Sequence, residues 1–188
     1  MRDKTRNVPP LEINGAKIVL RRNFGGNVII TKNGTWNHEG KRTFNIELDP
    51  EFADVLAADL WGVKQYENAD GEITVFLPIE IRYNKYEKYD PDTAIELQEK
   101  YNPKVYIVTD THKALLDESS LELLDRARIK YVNLRINAYP WVVGSKVGTK
   151  GYLDKMYVVI DPDADTVIKE DPLDIEFANV PLGELEEF

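Results

Sequence analysis

The sequence predicts a mainly β protein: a small closed or partly open five-stranded barrel with short helices and an acidic C-terminal tail. Three observations carry this. Five to seven segments read as strands, while only short stretches carry helical spacing. Glycines and aromatic residues gather near the expected bends, where a barrel strand must curve. Between Tyr131 and Trp141 the even positions Val132, Leu134, Ile136 and Ala138 are apolar, whereas the odd ones are Tyr131, Asn133, Arg135, Asn137, Tyr139 and Trp141. Side chains alternate across a strand, so one face enters a core and the other presents rings and a guanidinium. A β-sandwich is the structural alternative.

Taken in order, residues 1–15 read as an arm, polar and broken by Pro9-Pro10 and Asn14-Gly15. A strand follows at 16–20 and runs into Arg21-Arg22-Asn23-Phe24-Gly25-Gly26, whose paired glycines suit a bulge or tight turn. They match no phosphate-binding loop, since neither GxxxxGK[ST] nor GxGxxG is present. After Val28–Thr31, the segment 32–42 reads as a loop with an Asn33-Gly34 hairpin signal and carries Trp36, Lys41 and Arg42. Phe44, Ile46 and Leu48 alternate as the inward face of the next strand.

Asp49-Pro50-Glu51 combines a capping carboxylate, a first-turn proline and an acid, and so starts a helix that Gly62 should end. Strands are expected at 73–82 and 104–109, with Pro78 making the first an edge or bulged strand. Between them, at about 83–101, lies a charged insert with a helix opening at Asp90-Pro91. A further short helix over 120–127 leads into strands 129–142 and 151–160, joined by a long Gly-containing loop with Lys146 and Lys150. From 161 onward the chain is acidic, and it ends Glu184-Leu185-Glu186-Glu187-Phe188.

The 188 residues suffice for one domain with appendages. There is no cysteine, hence no disulfide framework or thiolate zinc site. The first ten residues lack the apolar run of a signal peptide, and no stretch is long enough and apolar enough to span a bilayer, so a cytoplasmic location is expected, that of the host if the protein is viral. A net charge of −9 argues at first against a polyanionic partner, but its distribution reverses this. Residues 1–48 carry nine Lys and Arg against four acids, and 126–155 carry seven against one. Residues 49–125 and 156–188 hold the excess of acid. Such asymmetry predicts one basic face assembled by folding.

Rings interleaved with cations on a solvent-facing strand are what a protein needs to hold unpaired bases, because every base has a π-face and every nucleotide a phosphate. Arg135, Tyr139 and Trp141 are therefore the first candidates for stacking and strand-tracking. Arg21, Arg22, Lys41, Arg42, Lys146 and Lys150 are candidates for phosphate contacts, and Phe24, Trp36 and Tyr152 for further stacking. Phe24 equally suits a plug for the barrel, and Trp61, at a helix end, suits the core. The fold that matches these elements is the oligonucleotide/oligosaccharide-binding (OB) barrel, whose second and third strands and loops bind single strands.

Several motifs together strengthen this. Arg22-Asn23-Phe24-x-Gly26, then Gly40-Lys41-Arg42-x-Phe44-x-Ile46-x-Leu48, then Trp61-Gly62-Val63-Lys64, and finally Val132-Asn133-Leu134-x-Ile136-x-x-Tyr139-x-Trp141 with Gly148-x-Lys150-x-Tyr152 resemble bacteriophage single-stranded-DNA-binding proteins of the OB-fold type. The resemblance covers roughly 16–160, in order, and the insert at 83–101 departs from it. It implies non-specific binding of single-stranded DNA in phage replication, recombination or repair. The tail over 161–188 also resembles the acidic, Phe-terminated tails through which such proteins recruit replication and recombination partners of phage or host. Glu184, Glu186 and Glu187 would meet a basic pocket and Phe188 would anchor. A homo-oligomer is compatible with the reading.

An enzyme finds little support. Two histidines, His38 and His112, do not make a His-based zinc site, and neither HExxH nor GxSxG occurs. Asp110, Asp117 and Asp125, or Asp161, Asp163 and Asp165, are the only acidic groupings that suggest a metal-dependent nuclease, and helix starts, solvated faces and a turn account for them. No metal and no cofactor are expected. An RNA-binding or protein-interaction module is the alternative, since OB folds host both.

Overall fold

The alternation read at 131–141 extends, in the computed structural model, to two strands of 15 residues each, which form a ribbon through the molecule. The structure describes residues 1–31, 34–110 and 112–161. Its elements are β1 (Leu11–Ala16), β2 (Ile29–Thr31), β3 (Gly34–Asn37), β4 (Arg42–Glu47), α1 (Pro50–Ala58), β5 (Lys64–Glu67), β6 (Ile73–Ile81), α2 (Pro91–Tyr101), β7 (Lys104–Val108), β8 (Lys113–Leu116), α3 (Leu123–Arg126), β9 (Ile129–Val143) and β10 (Lys146–Ile160). The chain is thus mainly β with short helices. The expected five-stranded barrel is corrected to one eight-stranded sheet that is not closed, with a separate β2–β3 hairpin.

The main path runs β1-β9-β10-β6-β4, with β5 on β6 and the β7–β8 pair on β10. The extra strands exist because β10 is long. Its edge pairs in parallel with β6 at Gly151 and Tyr152, and then with β7 from Lys155 to Val159. After β1 the chain turns back toward β4, with single bridges Ile18 to Ile46 and Asn23 to Thr43. β1 itself starts at Leu11, inside the stretch read as an arm, because Leu11 and Ile13 already alternate and pair with Ile136 and Leu134. Residues 1–3 also lie along β9, with Asp3 N–H donating to the Pro140 carbonyl at 2.9 Å.

The long loop expected between the last two strands is a tight turn instead. Val143 pairs with Lys146, and Gly144 takes a φ of +60° that suits a two-residue connection. Pro78 lies inside the sheet, paired with Asn45 of β4, rather than on an edge strand. Its missing N–H is tolerated because β5 pairs with residues 73–76 and β10 with 79–80, which leaves a gap at Pro78. Both proline-started helices form as expected, with Asp49 and Asp90 accepting from the N–H groups of Glu51 and Thr93. The first stops at Ala58, before Gly62, and Leu60 takes the left-handed turn at φ +62°.

The core sits on the inner face of the sheet. Phe44, Ile46, Ile79, Val132, Leu134, Ile136, Met156 and Val158 are fully buried there, and Trp61 joins them at 6% exposure. The even positions of β9 are therefore the inner face, and its outer face is left to the odd ones.

Candidate nucleic-acid interface

Register places the outer-face residues in rows across the sheet. Trp141 faces Gly148, Tyr139 faces Lys150 and Asn137 faces Tyr152 across the β9–β10 ribbon. Tyr152 pairs with Glu80 on β6, and Glu80 with Thr43 on β4. Tyr139 and Trp141 are partly exposed, so neither closes the core. The Trp141 indole lies flat over the Gly148 backbone: a Cβ added there would stand 2.7 Å from its ring. Only glycine allows that contact without moving the indole.

The rings carry cations. Arg82 lies 4.8 Å and Lys150 5.2 Å from the centre of the Tyr152 ring, Tyr139 meets Tyr152 edge-on at 5.7 Å, and Arg2 lies 5.7 Å from Tyr139. The Glu80 carboxylate holds both cations over Tyr152: it accepts from Arg82 at 3.1 Å and pairs with Lys150, and its side chain is 11% exposed. These charges are pre-placed, with an acid beneath them.

Beside them a cavity of about 250 Å³ is lined by Lys41, Thr43, Lys64, Pro78, Trp141 and Lys150. A second hollow of about 550 Å³ shares Lys41, Thr43, Lys64 and Pro78 and continues to Arg21 and Tyr66. The two make one trough across β10, β6 and β4, running from Trp141 to Arg21. Cations line it and rings stand at both ends. A strand of alternating bases and phosphates fits such a trough, whereas a duplex, whose bases are stacked on one another, offers no ring faces.

Of the residues singled out from sequence, the fold brings Arg21, Lys41, Tyr139, Trp141, Lys150 and Tyr152 to this trough or its rim. Others go elsewhere. Phe24, offered for stacking, is fully buried and stacks on Phe44 at 5.2 Å, so it is the plug and not a surface ring. Arg22, offered for phosphate, donates to the carbonyls of Asp125 at 3.1 Å and Ala127 at 2.7 Å. Burial lowers its pKa, with Asp125 opposing. Arg42 is likewise spent inward. It shares the inner-face parity of Phe44, pairs with Glu118 at 2.9 Å and lies 5.8 Å from the Tyr83 ring, whose phenol burial pushes up to about 12.

Arg135 is on the outer face but further along the ribbon, between Asp154 at 3.5 Å and Glu12 at 3.8 Å. Lys146 sits exposed at the hairpin tip. The Trp36 side chain and the tail residues Glu184, Glu186, Glu187 and Phe188 lie outside the described residues. Sequence reasoning missed Arg2, Lys64, Tyr66, Glu80 and Arg82. Four of these are in the acidic middle segment, where a charge count over the segment hides single cations, although Lys64 and Tyr66 alternate as strand neighbours do.

Among the described residues no group of three His, Asp or Glu side chains is placed to hold a metal, and no helix is long and apolar enough to cross a membrane. No curated protein and no solved structure matches the chain. A protein family does: residues 2–187 match the one described as "Putative phage ssDNA-binding domain". That match spans nearly the whole sequence and agrees with the cation-lined trough, and on it the chain belongs to the phage single-stranded-DNA-binding domain family.

Proposed function

We propose that this protein coats single-stranded DNA without sequence preference during phage replication or recombination, by stacking bases on Tyr139, Trp141 and Tyr152 while Arg21, Lys41, Lys64, Arg82 and Lys150 track the phosphates. The observation that carries this reading is the row Tyr139, Lys150, Tyr152, Arg82 beside the trough, where rings and cations alternate on one outer sheet face. Each stacked base is worth roughly 1–3 kcal/mol, and each phosphate contact releases a counterion, so affinity falls steeply with salt.

The same reading takes residues 16–160 as an OB-type binding domain. In support, β6 and β10 run parallel, and the chain after β1 bridges to β4 at Ile18 and Asn23, at the edge of the sheet that a barrel would close. It takes 161–188 as a tail that recruits replication or recombination partners and works in the host cytoplasm. The role is that of a binder, not a catalyst.

Intrinsic tryptophan fluorescence tests the reading by titration with oligo-dT, oligo-U and a duplex of equal length at low and moderate salt. Trp61 is buried, Trp141 faces the trough and Trp36 is the other stacking candidate, so quenching should fall in Trp141→Phe and vanish in the double variant Trp36→Phe, Trp141→Phe. Quenching by oligo-dT, a weaker response to duplex and strong salt dependence are expected. Absence of binding by all three at low salt would sink the reading, and tighter binding of oligo-U than oligo-dT would assign RNA instead.

A further inference from the structure

Residues 1–6 line neither hollow of the trough, yet they stand at its Trp141 end. The Asp3 N–H donates to the Pro140 carbonyl at 2.9 Å and the Val142 N–H to the Met1 carbonyl at 3.0 Å, and Arg2 pairs with Trp141 between these two bonds. Hydrogen bonds on either side of a pair, and none within it, mark the narrow kind of antiparallel pair. In such a pair the opposite side chains share a face and stand closest. Arg2 is therefore on the outer face beside Trp141, where it is exposed, and its guanidinium lies 5.7 Å from the centre of the Tyr139 ring. Lys150 and Arg82 lie on Tyr152 from the β10 side of the ribbon. Arg2 supplies a cation at the opposite edge of the same ring row.

A few backbone bonds at one end do not offset the entropy of ordering such a segment. Arg6 is a second anchor. Its guanidinium donates to the carbonyls of Gly148 at 3.1 Å and Asp59 at 2.8 Å, and to Thr149 Oγ1 at 2.9 Å. One side chain thus ties the segment to β10 and to the C-terminal cap of α1, at the residue over which the Trp141 indole lies. Between the two arginines the Asp3 carboxylate accepts from the Thr5 N–H at 3.0 Å and hydroxyl at 2.6 Å. The one acid of the segment therefore closes its turn.

We infer that Arg2 is a further DNA contact of this interface, and that Arg6 is the positioning residue that holds it there. The inference rests on the proposed single-strand binding. A guanidinium stacks on a ring through its face and donates two parallel hydrogen bonds to phosphate in its plane. Arg2 is placed to do both, lying on Tyr139 while it meets the phosphate of the nucleotide stacked on Trp141. Arg6, spent on carbonyls and a hydroxyl, touches no DNA and acts through Arg2.

The test titrates fluorescently labelled oligo-dT, at several salt concentrations, with wild type, Arg2→Ala, Arg2→Lys, Arg6→Ala and the double variant Arg2→Ala, Arg6→Ala. Lys88→Ala, which removes an exposed cation that lines neither hollow, is the control. Arg2→Ala should leave the denaturation midpoint unchanged and make the slope of log K against log salt shallower by about 0.7, one phosphate contact. Affinity should then fall about fourfold at about 0.15 M salt. Arg2→Lys, which keeps the charge, should keep the slope. Arg6→Ala should lose the same 0.7, and the double variant no more than either single one, because the two residues act as a unit. Where Arg6→Ala does not fold, Arg6→Lys, whose single nitrogen cannot bridge β10 and α1 as the fork does, takes its place with the same expected loss. An unchanged slope in Arg2→Ala, or an equal change in Lys88→Ala, overturns the Arg2 contact. An unchanged slope in the Arg6 variant, or additive losses in the double one, overturns the positioning role. If wild type itself binds no oligo-dT at low salt, it is the single-strand reading that fails.

Discussion

The corner around Arg22, Phe24 and Arg42 and the ribbon face around Tyr139, Lys150 and Tyr152 are built from the same kinds of residue and meet opposite fates. In the corner, Asp125 accepts from the N–H groups of Phe24 at 2.7 Å and Gly25 at 2.9 Å, and Arg22 reaches back to the carbonyls of Asp125 and Ala127. These hydrogen bonds close a turn over the inner-face core, and the Phe24 ring fills it. On the ribbon, the rings point outward by parity, and Lys150 and Arg82 lie on them rather than on backbone. A basic, aromatic segment is therefore not a surface by composition. What decides is which strand face each side chain occupies and whether an uncapped carbonyl lies within reach.

This contrast can be broken in three ways, in order of expected effect. Changing Tyr139 and Trp141 together to alanine should weaken binding of labelled oligo-dT by tenfold or more, since each stacked ring contributes roughly 1–3 kcal/mol, with the denaturation midpoint nearly unchanged. An unaltered dissociation constant would remove both rings from the interface. Arg22→Ala should do the reverse. Leaving the Asp125 and Ala127 carbonyls without their partner should cost about 1–3 kcal/mol of stability in urea titration, with the affinity of the folded protein intact. If binding falls while stability holds, Arg22 belongs to the DNA surface after all.

The smallest effect sharpens the comparison within the ribbon itself. Glu80 is an acid at the centre of the proposed phosphate-tracking surface, held by Arg82 and Lys150. Glu80→Gln removes a charge that repels phosphate and releases two cations to it, so affinity should rise a few-fold and its salt dependence steepen by up to about 1.4, about 0.7 per added contact. Weaker binding would instead make Glu80 a positioning group whose hold on the cations outweighs its repulsion.

Much of this was legible along the chain. The alternation at 131–141 marked the inner and outer faces of β9 correctly, and Asp49-Pro50 and Asp90-Pro91 started helices where they stand. Trp61 went to the core as its place at a helix end suggested. The strand count and closure were not legible, because β7–β8 and β5 attach to long strands whose free edges no local pattern reveals.

By itself the sequence determined what is local: the period of each strand, the capped helix starts, and the division of charge into basic and acidic segments. Only tertiary structure decided which cations share a face. Lys64, Glu80 and Arg82 come from the acidic segment, yet they stand beside Lys150 and Tyr152, because β6 runs parallel to β10 with Glu80 against Tyr152. Side-chain alternation follows from the geometry of a single strand, but register between distant strands is set by burying both inner faces at once, and a slip of one residue in β10 would turn Lys150 and Tyr152 inward.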